Sequence, residues 1–328
     1  MNIAILGAGA WGTALAISLS SRHRISRWAR NAEQIEAMSA SCCNQRYLPE
    51  IPLPPEIRLT ADLNTVLANA ELILVVVPIA GLRETLAEIA KQSKPIPVIW
   101  ACKGFESGTS QLPHQVVAET LPQNFLSGVL SGPSFALEVA RDMPTALTLA
   151  SGNDEFARQI AHSLHHARLR IYSSTDVVGV EVGGAVKNVL AIAAGISDGL
   201  GFGFNARAAL ITRGLAEMTR LGLKLGGMGE TLGGLSGAGD LILTCTGDLS
   251  RNRRVGLMLA RQQSLPDILN ELGHVAEGVH TVSEVHQLAQ RLDIEMPITT
   301  AVFRILYEKV SAASAVEDLL SRSPNSEF

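Results

Sequence analysis

The chain has 328 residues, 47% of them hydrophobic, and a formal charge of −4. That is enough apolar surface for two packed domains, and it lacks the basic excess that a nucleic-acid-binding face needs. No run of about 18 uninterrupted apolar residues is present, which argues against a membrane span.

Asn2–Leu6 reads as a short buried strand, followed by Gly7-Ala8-Gly9-Ala10-Trp11-Gly12 and a helical pattern over 13–20. The same pattern accounts for the apolar N-terminus better than a secretory signal does, because no basic segment precedes it. Residues 23–28 read as a second strand, and 71–77 (ELILVVV) as a strand buried on both faces of a parallel sheet. Further strands are predicted at 96–102, 126–130, Thr145–Ala150 and 168–172, with amphipathic helices between them at 79–92 and 153–165. Alternation of this kind predicts a doubly wound α/β sheet of the Rossmann type, with ligands outside the carboxyl ends of its strands.

After about Asp176 the strand signals stop. Helices or helical turns are predicted at 178–196, 206–221, 227–235, 240–244, 253–262, 264–272, 281–292 and 298–310. The expected organisation is a dinucleotide-binding domain over 1–177 and an all-α substrate-binding and catalytic domain over 178–328. The last dozen residues, which include Ser-Arg-Ser-Pro-Asn-Ser, are expected to fray. Four cysteines, Cys42, Cys43, Cys102 and Cys245, make neither a CxxC pair nor a zinc-ligand spacing, and fit a reducing cytoplasm. No metal site is expected.

GxGxxG alone is weak, but here it lies between a strand and a helix in the first βαβ unit. Gly7 permits the tight turn, Gly9 lets backbone approach a pyrophosphate, and Gly12 lets helix pack on strand. The helix N-terminus then offers free N–H groups to the anion. An acidic residue at the end of the second strand would suit the ribose hydroxyls of NAD. This chain has Arg30 and Asn31 there, with Arg27 nearby, which favours the 2′-phosphate of NADP; an exposed helix-start arginine is the alternative.

Lys187 is conspicuous because from 177 to 204 the only other charged side chains are Glu181 and Asp198. Such a lysine either snorkels its ammonium to water or sits where chemistry needs a charge or a proton. Lys103 and the Gly132-Pro133-Ser134-Phe135 turn each follow a buried strand, where ligands bind. A surface lysine and an ordinary turn would look the same. Asp240 ends the run GGLSGAGD, where an N-cap is the plain reading. Ser250-Arg251-Asn252 offers a hydroxyl, a guanidinium and an amide suited to a phosphate dianion, unless the basic run to Arg254 is a solvated helix start.

Taken together, GAGAWG, ACKGFE, SGPSFA, EVGGAVKNVLAIAAGISDGLGFGFNARAAL, GLSGAGDLILTC and SRN resemble the NAD(P)-dependent glycerol-3-phosphate dehydrogenases of the soluble bacterial type. The NQRYLP loop departs from the family's usual form. The resemblance implies an oxidoreductase that moves hydride reversibly between NAD(P)H and C2 of dihydroxyacetone phosphate, giving sn-glycerol 3-phosphate for phospholipid synthesis. It implies Lys187 as the catalytic lysine, and Lys103, Gly132, Ser134, Asp240, Ser250, Arg251 and Asn252 as substrate-binding residues. Gly7, Gly9, Trp11, Gly12, Arg30, Tyr47, Lys103, Ala136, Arg251, Val275 and Glu277 are the implied cofactor positions, with NADPH favoured over NADH. It also suggests a homodimer. A non-catalytic sensor of the nicotinamide pool is the rival from another class. It would share the glycine loop but would not require Lys187, Lys103 and Asp240 together.

Overall fold

The computed structural model describes residues 1–272 and 277–322, so Val275 lies outside the described residues. The chain divides into one unit of Met1–Glu106 and Gln111–Glu181, and another of Ser107–Ser110 and Val182–Phe328.

The first unit is built on strands β1 (Asn2–Leu6), β2 (Arg24–Trp28), β5 (Arg58–Thr60), β6 (Leu72–Val75), β7 (Val98–Trp100), β8 (Ser127–Ser131), β9 (Thr145–Ala150) and β10 (Leu169–Ser174). A short hairpin, β3 (Cys43–Asn44) with β4 (Leu48–Pro52), stands apart as its own two-stranded sheet. The large sheet runs β10-β9-β8-β7-β6-β1-β2-β5, and neighbours are parallel except β8 and β9. This is the doubly wound architecture, with its topological switch at β1 and β6. Ile73 and Leu74 of β6 are buried on opposite faces of the sheet, which explains an unbroken apolar run instead of alternation.

Seven helices accompany these strands: α1 (Ala10–Ser20), α2 (Ala32–Ser41), α3 (Leu63–Leu67), α4 (Leu82–Ala90), α5 (Pro113–Thr120), α6 (Ala136–Ala140) and α7 (Asp154–Leu164). In α7, Phe156, Ala157, Ile160, Ala161 and Leu164 form the buried stripe, and Asn153 caps the start by accepting from the Phe156 N–H. The helix expected over 79–92 is instead a 3-10 turn, Ile79–Gly81, leading into α4. The hairpin and α2, α3, α5 and α6 were not individually expected from the sequence. They are short or weakly patterned.

α8 (Val177–Gly199) begins in the first unit and continues into the second. The second unit adds α9 (Gly203–Lys224), α10 (Gly229–Gly233), a π-helical turn Leu235–Gly239, α11 (Asp240–Thr246), α12 (Arg251–Ala260) and α13 (Leu265–Leu272). It ends with α14 (Glu277–Leu292), α15 (Pro297–Tyr307) and α16 (Ala312–Leu320). α8 is long and apolar enough to cross a membrane by length and composition, but 89% of its most apolar window is buried inside the protein.

Small residues let α8 and α12 cross at backbone contact. A Cβ on Gly195 would overlap the Arg253 carbonyl, and one on Gly256 the Ile192 carbonyl. The tail corrects an expectation: residues 317–320 are the end of α16, whose Ala312 and Ala315 are buried. Ser311 caps that helix by accepting from the Ser314 N–H.

Candidate functional site

The residues singled out by sequence fall into two groups, one in each unit. In the first unit, Gly7 follows β1 with φ 129°, and its N–H donates to the Trp28 carbonyl at 3.0 Å. A side chain there would press on the Val76 carbonyl. A Cβ at Gly12 would stand 2.5 Å from the Gly7 carbonyl, so this glycine sets the closeness of α1 to the loop. Gly9, the N-cap of α1, is different: nothing lies within 4 Å of its Cβ position. The loop therefore presents bare backbone and a helix N-terminus to open space, a cradle that fits a pyrophosphate.

Behind that loop, every carbonyl is held. Arg27 Nε donates to the Gly7 carbonyl at 3.3 Å and its Nη2 to the Gly9 carbonyl at 3.2 Å. Asn44 Nδ2 and Gln34 Nε2 donate to the Ala8 carbonyl at 3.0 and 3.1 Å. Thr13 Oγ1, buried, donates to Gly9 and accepts from Arg27 Nη2 at 2.6 Å and Asn44 Nδ2 at 2.7 Å. Arg30 is 82% exposed at its side chain and meets Glu84 at 3.4 Å, a pairing of little worth in water. Trp11 packs half-buried against the sheet core, and Tyr47, in the turn joining β3 to β4, stacks under the Arg46 guanidinium.

Lys103, Gly132 and Ser134 come together past the carboxyl ends of β7 and β8. Lys103 Nζ donates to the Gly132 carbonyl at 3.5 Å and Ser134 Oγ to the same oxygen at 3.0 Å. Gly132 has φ 136°, and Ala136 opens α6 just beyond.

In the second unit, Lys187 does not snorkel. It is 8% exposed, and its Nζ donates to Asp240 Oδ1 at 2.6 Å and to Thr244 Oγ1 at 3.1 Å. Thr244 Oγ1 donates in turn to the Asp240 carbonyl at 2.6 Å, which aims a lone pair at the ammonium. Asp240 is 1% exposed and already helical, with Gly239 as N-cap, so the plain cap reading is overturned. Its carboxylate serves the lysine because the π-turn carries the chain into α11 without needing a side-chain cap. Burial pushes the neighbouring Cys245 thiol up to about 12, leaving it inert.

The three residues of the SRN segment have separate places. Ser250 caps α12 by accepting from the Arg253 N–H. Arg251, at the first position of α12, is exposed. Asn252 is buried, its Nδ2 donating to Asn188 Oδ1 at 2.9 Å while its Oδ1 accepts from the Gly278 N–H at 3.1 Å. Arg253 is no solvated helix start: it pairs with Asp198 at 2.7 Å and Asp248 at 2.9 Å. Glu277 opens α14, half-buried.

Thr244, Asn188, Thr13 and Asn44 were not singled out as site residues from the sequence, and Arg27 was noted only as a neighbour of Arg30. Thr244 had a usable signal, since it lies four residues after Asp240 on one helix face.

Comparison with known proteins adds an independent observation. A family model described as NAD-dependent glycerol-3-phosphate dehydrogenase N-terminus matches residues 2–157, and the corresponding C-terminus model matches 176–317. The chain is 62% identical over 332 residues to glycerol-3-phosphate dehydrogenase (NAD(P)+) of Nitrosospira multiformis, covering all of both chains. It is 59% identical over 328 residues to the protein of that name from Thiobacillus denitrificans, again covering all of both. A crystal structure of glycerol-3-phosphate dehydrogenase from Coxiella burnetii matches with TM-score 0.94 and 45% identity, over 98% of each chain.

Proposed function

The chain belongs to the NAD-dependent glycerol-3-phosphate dehydrogenase family, and on that premise we propose that its Lys187–Asp240 pair supplies and recovers the proton of the reaction. The protein is an NAD(P)-dependent oxidoreductase that interconverts dihydroxyacetone phosphate and sn-glycerol 3-phosphate. The observation that carries the proton assignment is the buried ion pair itself, with Thr244 as the second acceptor on Nζ.

A nicotinamide cofactor, held by the glycine loop, would supply hydride for C2 of the ketone or accept it from the alcohol. As negative charge grows on the C2 oxygen, the Lys187 ammonium stabilises it and gives up a proton from Nζ. General-acid assistance of this kind contributes about 10²–10⁴-fold. Asp240 and Thr244 fix Nζ in place. In the oxidative direction the neutral amine takes the hydroxyl proton, and Asp240 stabilises the ammonium that results.

Arg251, exposed at the N-terminus of α12, grips the non-reacting phosphate of the substrate, with Ser250 capping the helix beneath it. Asn252 serves that grip by tying the start of α12 to Asn188 and Gly278. In the first unit Gly7, Gly9 and Gly12 hold the dinucleotide, aided by Trp11, Tyr47 and Ala136; Lys103, Gly132 and Ser134 serve substrate and nicotinamide. Glu277 completes the set among the described residues.

Arg30 reads a 2′-phosphate, so NADPH is the preferred partner. Its weak contact with Glu84 costs little to break. Arg30→Ala is expected to raise the KM for NADPH about tenfold while that for NADH moves little, by loss of one charge-assisted phosphate contact. A cytoplasmic homodimer feeding phospholipid synthesis is the setting this reading fits.

The assay is loss of NADPH absorbance with dihydroxyacetone phosphate, set against unphosphorylated dihydroxyacetone and 2-keto acids. Oxidation only with the phosphorylated ketone is expected; oxidation by 2-keto acids instead would reject the reading. A non-catalytic sensor would show no turnover with any of the three.

A further inference from the structure

We infer that Arg27 is a built-in counter-charge for the dinucleotide's pyrophosphate, acting from behind the glycine loop as a positioning residue. The inference rests on the cofactor reading above, and concerns a residue that the GxGxxG pattern does not include.

Arg27 sits inside β2 and is 0% exposed. A buried guanidinium ordinarily has a carboxylate partner, because an isolated charge is costly to desolvate. Among the described residues Arg27 makes no ion pair. Its contacts are the Gly7 and Gly9 carbonyls and Thr13 Oγ1, and its Nη1 has no hydrogen-bond partner. Burial alone lowers its pKa to about 10, which still leaves it charged at neutral pH. An apolar residue would fill a strand interior at less cost, so the charge calls for a reason outside the unliganded fold.

The loop geometry supplies one. In a planar trans peptide the carbonyl and the following N–H point in opposite directions. Arg27, Asn44, Gln34 and Thr13 draw the Gly7, Ala8 and Gly9 carbonyls inward. The N–H groups of Ala8, Gly9 and Ala10 are thereby turned the other way. Three amides, the N-terminus of α1 and the guanidinium then add their positive potentials at one place. An anion there offsets the charge that the protein alone leaves uncompensated.

The test compares Arg27→Gln, which keeps a donor and loses the charge, with Arg27→Lys, which keeps the charge and loses the fork. Affinities for NADH, ADP-ribose and adenosine are measured by fluorescence titration and competition, and the apo fold by thermal melting. For Arg27→Gln, NADH and ADP-ribose should bind about tenfold more weakly or worse, as expected for losing one partly screened charge interaction. Adenosine, which lacks the pyrophosphate, should bind as before, and the apo variant should melt no lower than wild type. Arg27→Lys should bind NADH more tightly than Arg27→Gln does. The inference is overturned if Arg27→Gln binds ADP-ribose within about twofold of wild type, or loses adenosine equally. It is overturned too if that variant fails to fold, since an unpaired charge should be dispensable to the apo protein. If the wild-type protein binds neither NADH nor ADP-ribose, it is the cofactor reading that fails.

Discussion

Lys187 and Asp240 are opposite charges withheld from water together, and each makes the other's burial tolerable. Removing one partner of such a pair typically costs about 3–5 kcal/mol, because the other is left desolvated. Asp240→Asn should therefore lower the thermal midpoint as well as the turnover number; an unchanged midpoint would mean that the pair carries no net interaction. Lys187 was legible in the sequence because a lone charge in an apolar helix demands a partner. Asp240 was implied as a substrate-site acid by the family resemblance, while its local pattern alone equally suited a helix cap, since cap and ligand carboxylates look alike until the backbone is known. Arg27 was hard to read for another reason: period two puts it on the buried face with Ile25, but the residue type is one almost never fully buried without a partner. The glycines make a sharper contrast. Gly12→Ala drives a Cβ against the Gly7 carbonyl and should cost about 1–3 kcal/mol of stability. Gly9→Ala meets no protein atom within 4 Å, so it should melt normally and yet bind NADH poorly. Equal melting of the two variants would contradict this account of the loop.

At the scale of elements, the second unit owes its site to close helix crossings and borrowed caps. α8 and α12 meet at Gly195 and Gly256, and α14 joins them through the Gly278 N–H on Asn252. The start of α15 is capped from a distance: Glu217 of α9 accepts from the Ile298 and Thr299 N–H groups and from Thr299 Oγ1. Burial is the largest influence on that carboxyl and holds its pKa above the ordinary 4.5. The folded state therefore keeps a proton that the unfolded chain releases, and this contribution to stability is lost as pH rises from about 4.5 through the folded-state value. Glu217→Gln removes the titration. Melting curves should show the wild type's midpoint, relative to the variant's, falling as pH rises across that window; a constant difference would contradict it. Helices with strong apolar periodicity, such as α7, were legible within a residue or two. The start of α15 was legible too, at 298 against Pro297, whereas the β3–β4 hairpin and α16 were not, because their signals are short.

For the molecule as a whole, the change from alternating strands and helices to helices alone marked the class of each half. Strand order, and the one antiparallel neighbour pair in the large sheet, depend on long-range pairing that no local pattern records. The motif order along the chain carried the family, and family models over 2–157 and 176–317 agree with it. The chemistry now rests on one lysine. The most direct measurement is turnover of dihydroxyacetone phosphate by Lys187→Met, with NADH affinity measured on the same preparation as the check that the fold and the glycine loop are intact. NADH should bind as in wild type while kcat falls by about 10²–10⁴-fold, the span of a lost general acid. Near-normal turnover in a variant that binds NADH would contradict that role.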